Sequence, residues 1–405
     1  MNYTLEYLQS EAAAENLEII ALVNCMVRDA SKLGASDLHI EPWEKAVAVR
    51  ARVNGVLVEV AHLPLELLDK ISMRLKVMAN LVTYQTGIPQ DGAAAGGPEL
   101  DNVQLRISIF PTTRGEKIVM RLFDPRDRRF DLNSLNFDDG ALKGLVRLLK
   151  RSSGLLLFTG PTGSGKTSTM YSALSHVMQR DGTTVSISTV EDPVEFNLSM
   201  ISQTQVNPAH DFTYAKALRS IMRQDPQVVM VGEIRDPETA AIAVQAGLTG
   251  HLILSTIHSG KSTGAFTRLI NMEIEPFLLA SSILGVMGMR LVRSNCPDCT
   301  QPYVPEPSQL RVLPEELREE AQFRHGVGCE RCAGTGFAGR LPITELLVVN
   351  EPFREAVLKK MPTLALEEIA IQQGMRTLWQ NALQLVITGQ TSLEETVRVL
   401  ASDLM

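Results

Sequence analysis

Gly160-Pro161-Thr162-Gly163-Ser164-Gly165-Lys166-Thr167 is the stretch whose reading decides how this chain folds. It fits G-x-x-x-x-G-K-[ST], and its flanks supply what that pattern needs. Leu155 to Thr159 before it reads as a buried strand, and Thr167 to Val177 after it reads as a helix with Met170, Ala173 and Leu174 at helical spacing. Glycines let the backbone turn its N–H groups inward onto phosphate oxygens, and the helix N-terminus adds its dipole. Lys166 then reaches the outer phosphates and the Thr167 hydroxyl ligates magnesium, so Gly160 through Thr167, with Ser168 behind them, form the nucleotide-binding set.

Outward from this loop, short apolar strands alternate with helices from about residue 136, the signature of an α/β parallel sheet. The predicted strands are 155–158, 184–188, 228–231 and 252–255, each followed by polar residues, so the chemistry collects at their carboxyl ends. Two acidic stretches lie there. Thr189-Val190-Glu191-Asp192-Pro193 places Glu191 and Asp192 at the sheet edge, and Val228-Val229-Met230-Val231-Gly232-Glu233 ends an apolar strand in a carboxylate. Glu191 and Glu233 are candidates to hold magnesium or to activate water, and the sequence does not choose between them. His251 and His258 flank the next strand, where a structural role and a phosphate-sensing role are equally compatible with residue chemistry.

The N-terminal third reads as a small α+β domain. A helix begins near Leu17, Asn54-Gly55 turns a hairpin, a helix covers 65–80, and strands cover 103–110 and 117–122. The Gly- and Ala-rich stretch 83–100 is expected to be a loop. Arg106, Arg114 and Arg121 lie in or beside the last strands, and their positive charge suits a developing phosphate charge, in an oligomer that of a neighbouring subunit. The expected organisation is an arm at 1–16, the α+β domain at 17–123, a linker at 124–135, the ATPase core at 136–293, a cysteine element at 294–345 and a helical bundle at 346–405.

That cysteine element contains Cys296-Pro297-Asp298-Cys299 and Cys329-Glu330-Arg331-Cys332. Two such knuckles supply the four thiolates of a closed structural zinc site. The 29 residues between them exceed the usual ~15–20, so a helical insertion is expected. The fifth cysteine, Cys25, reads as a small buried hydrophobe.

Bulk properties narrow the class further. The chain has 405 residues, 44% hydrophobic and 21% charged, which describes an ordinary globular protein of two or three domains. A net charge of −7 argues against nucleic acid as the main partner. No apolar run approaches the roughly 18 residues of a membrane span, and Met1 to Asn16 lacks the apolar region of a secretory signal, so a cytoplasmic protein is expected.

Taken together the motifs resemble the secretion ATPase superfamily, most closely its type II secretion and type IV pilus assembly ATPases. The likeness is carried by 160–167, 189–195, 218–226, 229–236 and 249–258, and by Gly34-Ala35-Ser36-Asp37-Leu38-His39-Ile40-Glu41-Pro42, Pro89-Gln90-Asp91-Gly92 and Arg114 to Leu122. It implies a RecA-like P-loop core behind a PAS-like domain and a homohexameric motor using ATP, Mg²⁺ and Zn²⁺. It also implies catalytic roles for Lys166, Glu191, Glu233, His251, His258 and arginines of the N-terminal domain. The partners it implies are an inner-membrane platform and cytoplasmic docking proteins, with the motor bound peripherally at that membrane. By the same resemblance the tetracysteine element marks the assembly and secretion branch, because retraction ATPases generally lack it; a pilus retraction motor and a weakly hydrolysing nucleotide-gated scaffold remain the alternatives. By the same resemblance a short form without the extra docking domain is expected. The chain also departs at Gly87 and Ala93, where arginines often flank Pro-Gln-Asp-Gly, and at Ser259-Gly260-Lys261-Ser262 after the second histidine.

Overall fold

Alternation of side chains along the strands is what sorts this chain into layers. The computed structural model describes residues 2–10, 16–97, 100, 103–123, 130–313, 318 and 321–404. The chain forms two compact units: residues 1–129 with 296–300 and 326–339, and residues 130–295 with 301–325 and 340–405.

In the first unit α1 (Tyr3–Leu8) and α2 (Ile19–Lys32) precede β1 (Asp37–Pro42), β2 (Val47–Val53) and β3 (Val56–Leu63). Next come α3 (Leu68–Met78), β4 (Gln90–Ala95), β5 (Gln104–Thr112) and β6 (Gly115–Phe123). The sheet order is β3-β2-β1-β6-β5-β4. Leu38, Ile40, Val49, Ala51, Ile107, Ile118 and Met120 join Leu22, Met26, Ile71 and Leu75 in one core. The intervening positions, with Asp37, Glu41, Arg50, Arg52, Arg106, Lys117 and Arg121 among them, point to the opposite face, as a two-residue period requires.

One expectation changes here, and the arm takes the docked-helix form that its residues allow. The stretch 83–100 contains β4, whose six residues pair antiparallel with β5 from Gln90↔Ile109 to Ala95↔Gln104. Alanine and glycine have poor strand propensity, and pairing with a neighbour overrides it. The arm contains α1, docked by Asp29, whose carboxylate accepts from Tyr3 N at 2.8 Å, Thr4 N at 2.8 Å and Thr4 Oγ1 at 2.6 Å. Half of the expected linker, 124–129, lies outside the described residues.

The second unit opens with α4 (Asp139–Leu148) and β7 (Gly154–Thr159), then α5 (Lys166–Asp181), β8 (Ile187–Glu191) and β9 (Ser202–Gln205). It continues through α6 (Tyr214–Ile221), β10 (Val228–Val231), α7 (Pro237–Leu248), β11 (Leu252–Ile257), α8 (Gly264–Asn271), α9 (Pro276–Ser282) and β12 (Ile283–Asn295). After β13 (Thr300–Pro302), α10 (Pro307–Leu310) and β14 (Arg324–Gly326), β15 (Phe337–Val348) returns to the main sheet. Four helices close the chain: α11 (Glu351–Leu358), α12 (Thr363–Gln372), α13 (Leu378–Ile387) and α14 (Leu393–Leu404).

The seven-stranded order is β15-β12-β7-β11-β10-β8-β9, with β12 through β9 parallel. Leu155, Leu157, Val229, Val231, Ile253 and Ile257 pack on α6 to α9. Leu156, Phe158, Met230, Leu252 and Leu254 pack on α4 and α5. Both faces are covered, so the strands read as unbroken apolar runs.

Residues 184–186, expected to start a strand, do not. Thr184 Oγ1 donates to Asp181 O at 2.6 Å and closes a local turn, so β8 begins at Ile187 and ends on Glu191 itself. The core does not stop at 293, because β12 runs to Asn295 and β15 adds an edge strand. The C-terminal helices are no separate bundle. Phe353, Val357, Leu366 and Ala370 belong to the core under α7 and α9, while Leu378, Ala382 and Leu400 pack on Val292 of β12 and Ile343 of β15. Leu364 and Ile371 of α12 are exposed.

Candidate functional site

Parallel strands deliver their last residues to one edge, and the site is assembled there. A cavity of about 440 Å³ is lined by the 162–168 loop, the ends of β8, β10 and β11, and Tyr214 and Arg340. A larger cavity of about 820 Å³, between α4 and the α12–α13 turn, contains none of the motif residues. Chemistry selects the smaller one.

The loop takes its shape from its glycines. Gly160, at φ 145°, has no room for a side chain, since a Cβ there would lie 2.4 Å from Met289 O and 2.7 Å from Ser164 Oγ. Gly165, at φ 95°, turns the chain into α5, whose first residue is Lys166. Lys166 Nζ donates to Gly160 O and Pro161 O, both at 2.8 Å. Burial pushes its ammonium down from the usual lysine value, the Glu233 carboxylate raises it, and Arg290 lowers it further. Lys166 and Glu233 therefore sense each other across the cavity. Thr167 and Ser168 line the same cavity, in the first turn of α5, where anions bind.

The two candidate acids are held differently. Glu191 is buried and its carboxylate is saturated: Oε2 accepts from the Tyr171 hydroxyl, and Oε1 from Thr189 Oγ1 at 2.5 Å and Gln203 Nε2 at 3.0 Å. Burial and this carboxylate both push the Tyr171 hydroxyl up. Glu233 has partners that are more than half exposed. Arg235 donates to its Oε1, and His258 Nε2 lies 3.4 Å from its Oε2. Gly232, which displaces Glu233 by one position, is needed because a Cβ there would come 2.9 Å from the Tyr214 hydroxyl. That hydroxyl is pushed up by burial and by the nearby Glu233 and Asp192 charges. Asp236 is spent as the N-cap of α7, accepting from Thr239 N at 2.8 Å.

The two histidines separate. His258 follows β11 into the cavity. His251 precedes β11, at the opposite edge of the sheet, where its Nδ1 donates to Ala246 O at 3.2 Å and its carbonyl accepts from Gly154 N at 3.0 Å. A six-residue strand, roughly 20 Å long, stands between them. His251 is thus corrected from the catalytic set to a helix-to-strand connector. Replacing His258 with alanine is expected to slow turnover at least about tenfold; His251→Ala should slow it less, and steady-state phosphate release on both variants checks the order.

Arg106, Arg114 and Arg121 lie on the first unit's sheet. Arg106 and Arg121 are cross-strand partners; Arg106 stacks over Phe123 at 5.2 Å and Arg121 Nε donates to Asp37 Oδ1 at 3.0 Å. Arg114 sits in the exposed β5–β6 turn. Sequence reasoning missed Arg235, Tyr214, Tyr171 and Arg340. Arg235 lay inside a quoted motif, whereas Arg340 is on β15, far along the chain, with no local pattern to announce it.

The four cysteines converge within the first unit, all sulfurs lying within 4.8 Å of one another. Cys296–Cys329, Cys299–Cys332 and Cys329–Cys332 sulfurs are 3.8, 3.9 and 3.7 Å apart. A tetrahedron of sulfurs around zinc at ~2.3 Å has edges of about 3.8 Å, so the set fits that ion. Backbone N–H groups of Cys329 and Gly336 donate to Cys332 Sγ, both at 3.2 Å. Burial raises this thiol, but the donors around it outweigh burial and bring it down to about 6. The segment between the knuckles contains the four-residue α10 and two short strands that pair, so the expected helical insertion is only partly helical. Among the described residues no helix is long and apolar enough to cross a membrane.

The chain is similar to known proteins. The chain is 44% identical over 397 residues to the type II secretion system ATPase E of Vibrio cholerae, covering 97% of this chain and 77% of that one. It is 41% identical over 398 residues to the type IV pilus assembly ATPase PilB of Myxococcus xanthus, covering 96% and 69%. Among solved structures the Legionella pneumophila ATPase DotB superposes with a TM-score of 0.70 at 20% identity, covering 94% of this chain and 95% of that one. The pilus retraction motor PilT superposes at 0.62 with 22% identity, covering 93% and 96%; at these identities the likeness is one of fold. With residues 12–398 also matching the model of the type II/IV secretion system proteins, the chain belongs to that family.

Proposed function

We propose that this chain is a magnesium-dependent ATPase that powers type II protein secretion or type IV pilus assembly. It works as a homohexameric, RecA-like P-loop motor with a PAS-like first domain, in the cytoplasm, recruited to the inner membrane by platform and docking proteins. The observation that carries the reading is the single cavity with Lys166 and Thr167 on one wall and Glu233 and His258 on the other. Lys166 neutralises the outer phosphates, while the N–H groups of the loop hold them in line. Thr167 through its hydroxyl and Glu233 through a water would hold magnesium, which would supply charge neutralisation on the phosphates. Glu233 orients the attacking water and accepts its proton, because its partners are exposed enough to swing away. Glu191, saturated by buried donors, instead fixes β8 against α5.

The test is phosphate release by the full chain with ATP. Release that stops on chelating magnesium and is indifferent to DNA or RNA is expected; no release above a protein-free blank overturns the reading and favours a nucleotide-gated scaffold. The cysteine cluster binds one structural zinc, which the sulfur spacing supports. Metal analysis should find one zinc per chain, and its removal should lower Tm by at least about 5 °C. Intact protein with less than half an equivalent would overturn the zinc assignment.

A further inference from the structure

The loop Ser259-Gly260-Lys261-Ser262, which follows His258, is fixed at every residue. Thr159, the last residue of β7 before the phosphate loop, exchanges two hydrogen bonds with Ser259: its hydroxyl donates to Ser259 O at 2.7 Å and accepts from Ser259 N at 2.9 Å. Arg290 of β12 donates to Gly260 O at 2.8 Å. Lys261 Nζ reaches both carboxylate oxygens of Glu367 on α12 at 3.0 Å. Ser262 is fully buried against Glu345 of β15, which is 2% exposed. Its N–H and its hydroxyl both donate to Glu345 Oε1 at 2.6 Å.

Glu345 is an unusual group to bury. Its other oxygen, Oε2, accepts from Leu378 N at 3.3 Å, at the first turn of α13, where the helix dipole favours a negative charge. Room for it is made by Gly288, directly opposite Thr159 in the β12–β7 pairing. A Cβ on Gly288 would lie 2.7 Å from Glu345 Cγ and 2.9 Å from Ser262 Oγ. A desolvated carboxylate costs several kcal/mol unless its hydrogen bonds offset that, so a buried one held mainly by backbone and hydroxyl donors is a costly way to close a loop. What the loop begins with is His258, the residue facing Glu233.

We infer that Glu345 is a positioning residue for hydrolysis: through Ser262 it sets the loop that holds His258 against Glu233, and Lys261–Glu367 ties the same loop to α12. The C-terminal helices are thereby part of the hydrolytic apparatus and not only packing. The geometry gives the Ser259–Ser262 stretch a task, which its sequence alone did not.

This rests on the ATPase reading above, and the test separates the two. Steady-state ATP hydrolysis is measured on the full chain as wild type, Glu345→Ala, Glu345→Gln, His258→Ala and the His258→Ala/Glu345→Ala double variant. Glu345→Ala should lower kcat about tenfold with KM for ATP within twofold, and Glu345→Gln, which keeps an acceptor for Ser262, should recover most of the loss. In the His258→Ala background the Glu345→Ala change should cost less than twofold, because residues acting through one another are not additive. A full tenfold loss in that background, or an unchanged kcat in Glu345→Ala, overturns the inference. Should Glu345→Ala fail to fold, Ser262→Ala and Lys261→Ala are compared in the two backgrounds, and additivity again overturns it. A wild-type chain that releases no phosphate overturns the ATPase reading and this inference with it.

Discussion

Lys166→Ala is expected to lower ATP turnover at least about 100-fold, the usual loss when one preorganised charge facing a reacting phosphate is removed. The fold should survive. Its ammonium donates to two loop carbonyls, Gly160 O and Pro161 O, and Pro161 is exposed, so water can take over there. The cost of the lost bonds is then about 1–2 kcal/mol, too little to unfold a domain whose central strands β7, β8, β10 and β11 are fully buried. Phosphate release beside a thermal melt checks both halves. Turnover within twofold of wild type, at unchanged Tm, would remove the phosphate-binding role from this loop.

Glu233→Gln should separate binding from chemistry. The substitution keeps shape and an acceptor oxygen for Arg235 but loses the negative charge that orients and deprotonates water. Nucleotide affinity is expected to stay within a few-fold while hydrolysis falls about 10²- to 10³-fold. Equilibrium binding of a fluorescent ATP analogue, read beside single-turnover hydrolysis, makes the distinction. Glu191→Gln offers the contrast, since that carboxylate accepts from three donors and its change should appear in Tm as well as in rate. If Glu191→Gln abolished hydrolysis at unchanged stability while Glu233→Gln did not, the roles of the two acids would be exchanged.

What the sequence made legible was local. The 160–167 loop and the apolar run 228–231 announce themselves because strand, turn and helix are consecutive, and the structure places them as their spacing requires. His251 was misplaced because two histidines near one strand look alike in sequence, although a parallel strand has a carboxyl edge and an amino edge. β4 was read as a loop because its alanines and glycine have no preference of their own and follow β5. Arg340 reaches its place through β15, more than 150 residues after the phosphate loop, and Glu345 and Glu367 reach theirs through β15 and α12, 83 residues after Ser262 and 106 after Lys261. No periodicity encodes such a meeting. The cysteines were the exception among distant pairs, because zinc chemistry fixes which residue types must meet.

The phosphate loop's glycines also differ in what they would tolerate. Position 160 is closed by volume: anything with a Cβ strikes the carbonyl of Met289. Position 163 is closed only by backbone sign, with φ 78° and open space around it. Asparagine and aspartate, which accept that conformation at small cost, are substitutions the second site admits and the first does not. In a randomised library the two would therefore look alike under alanine scanning and part company under asparagine.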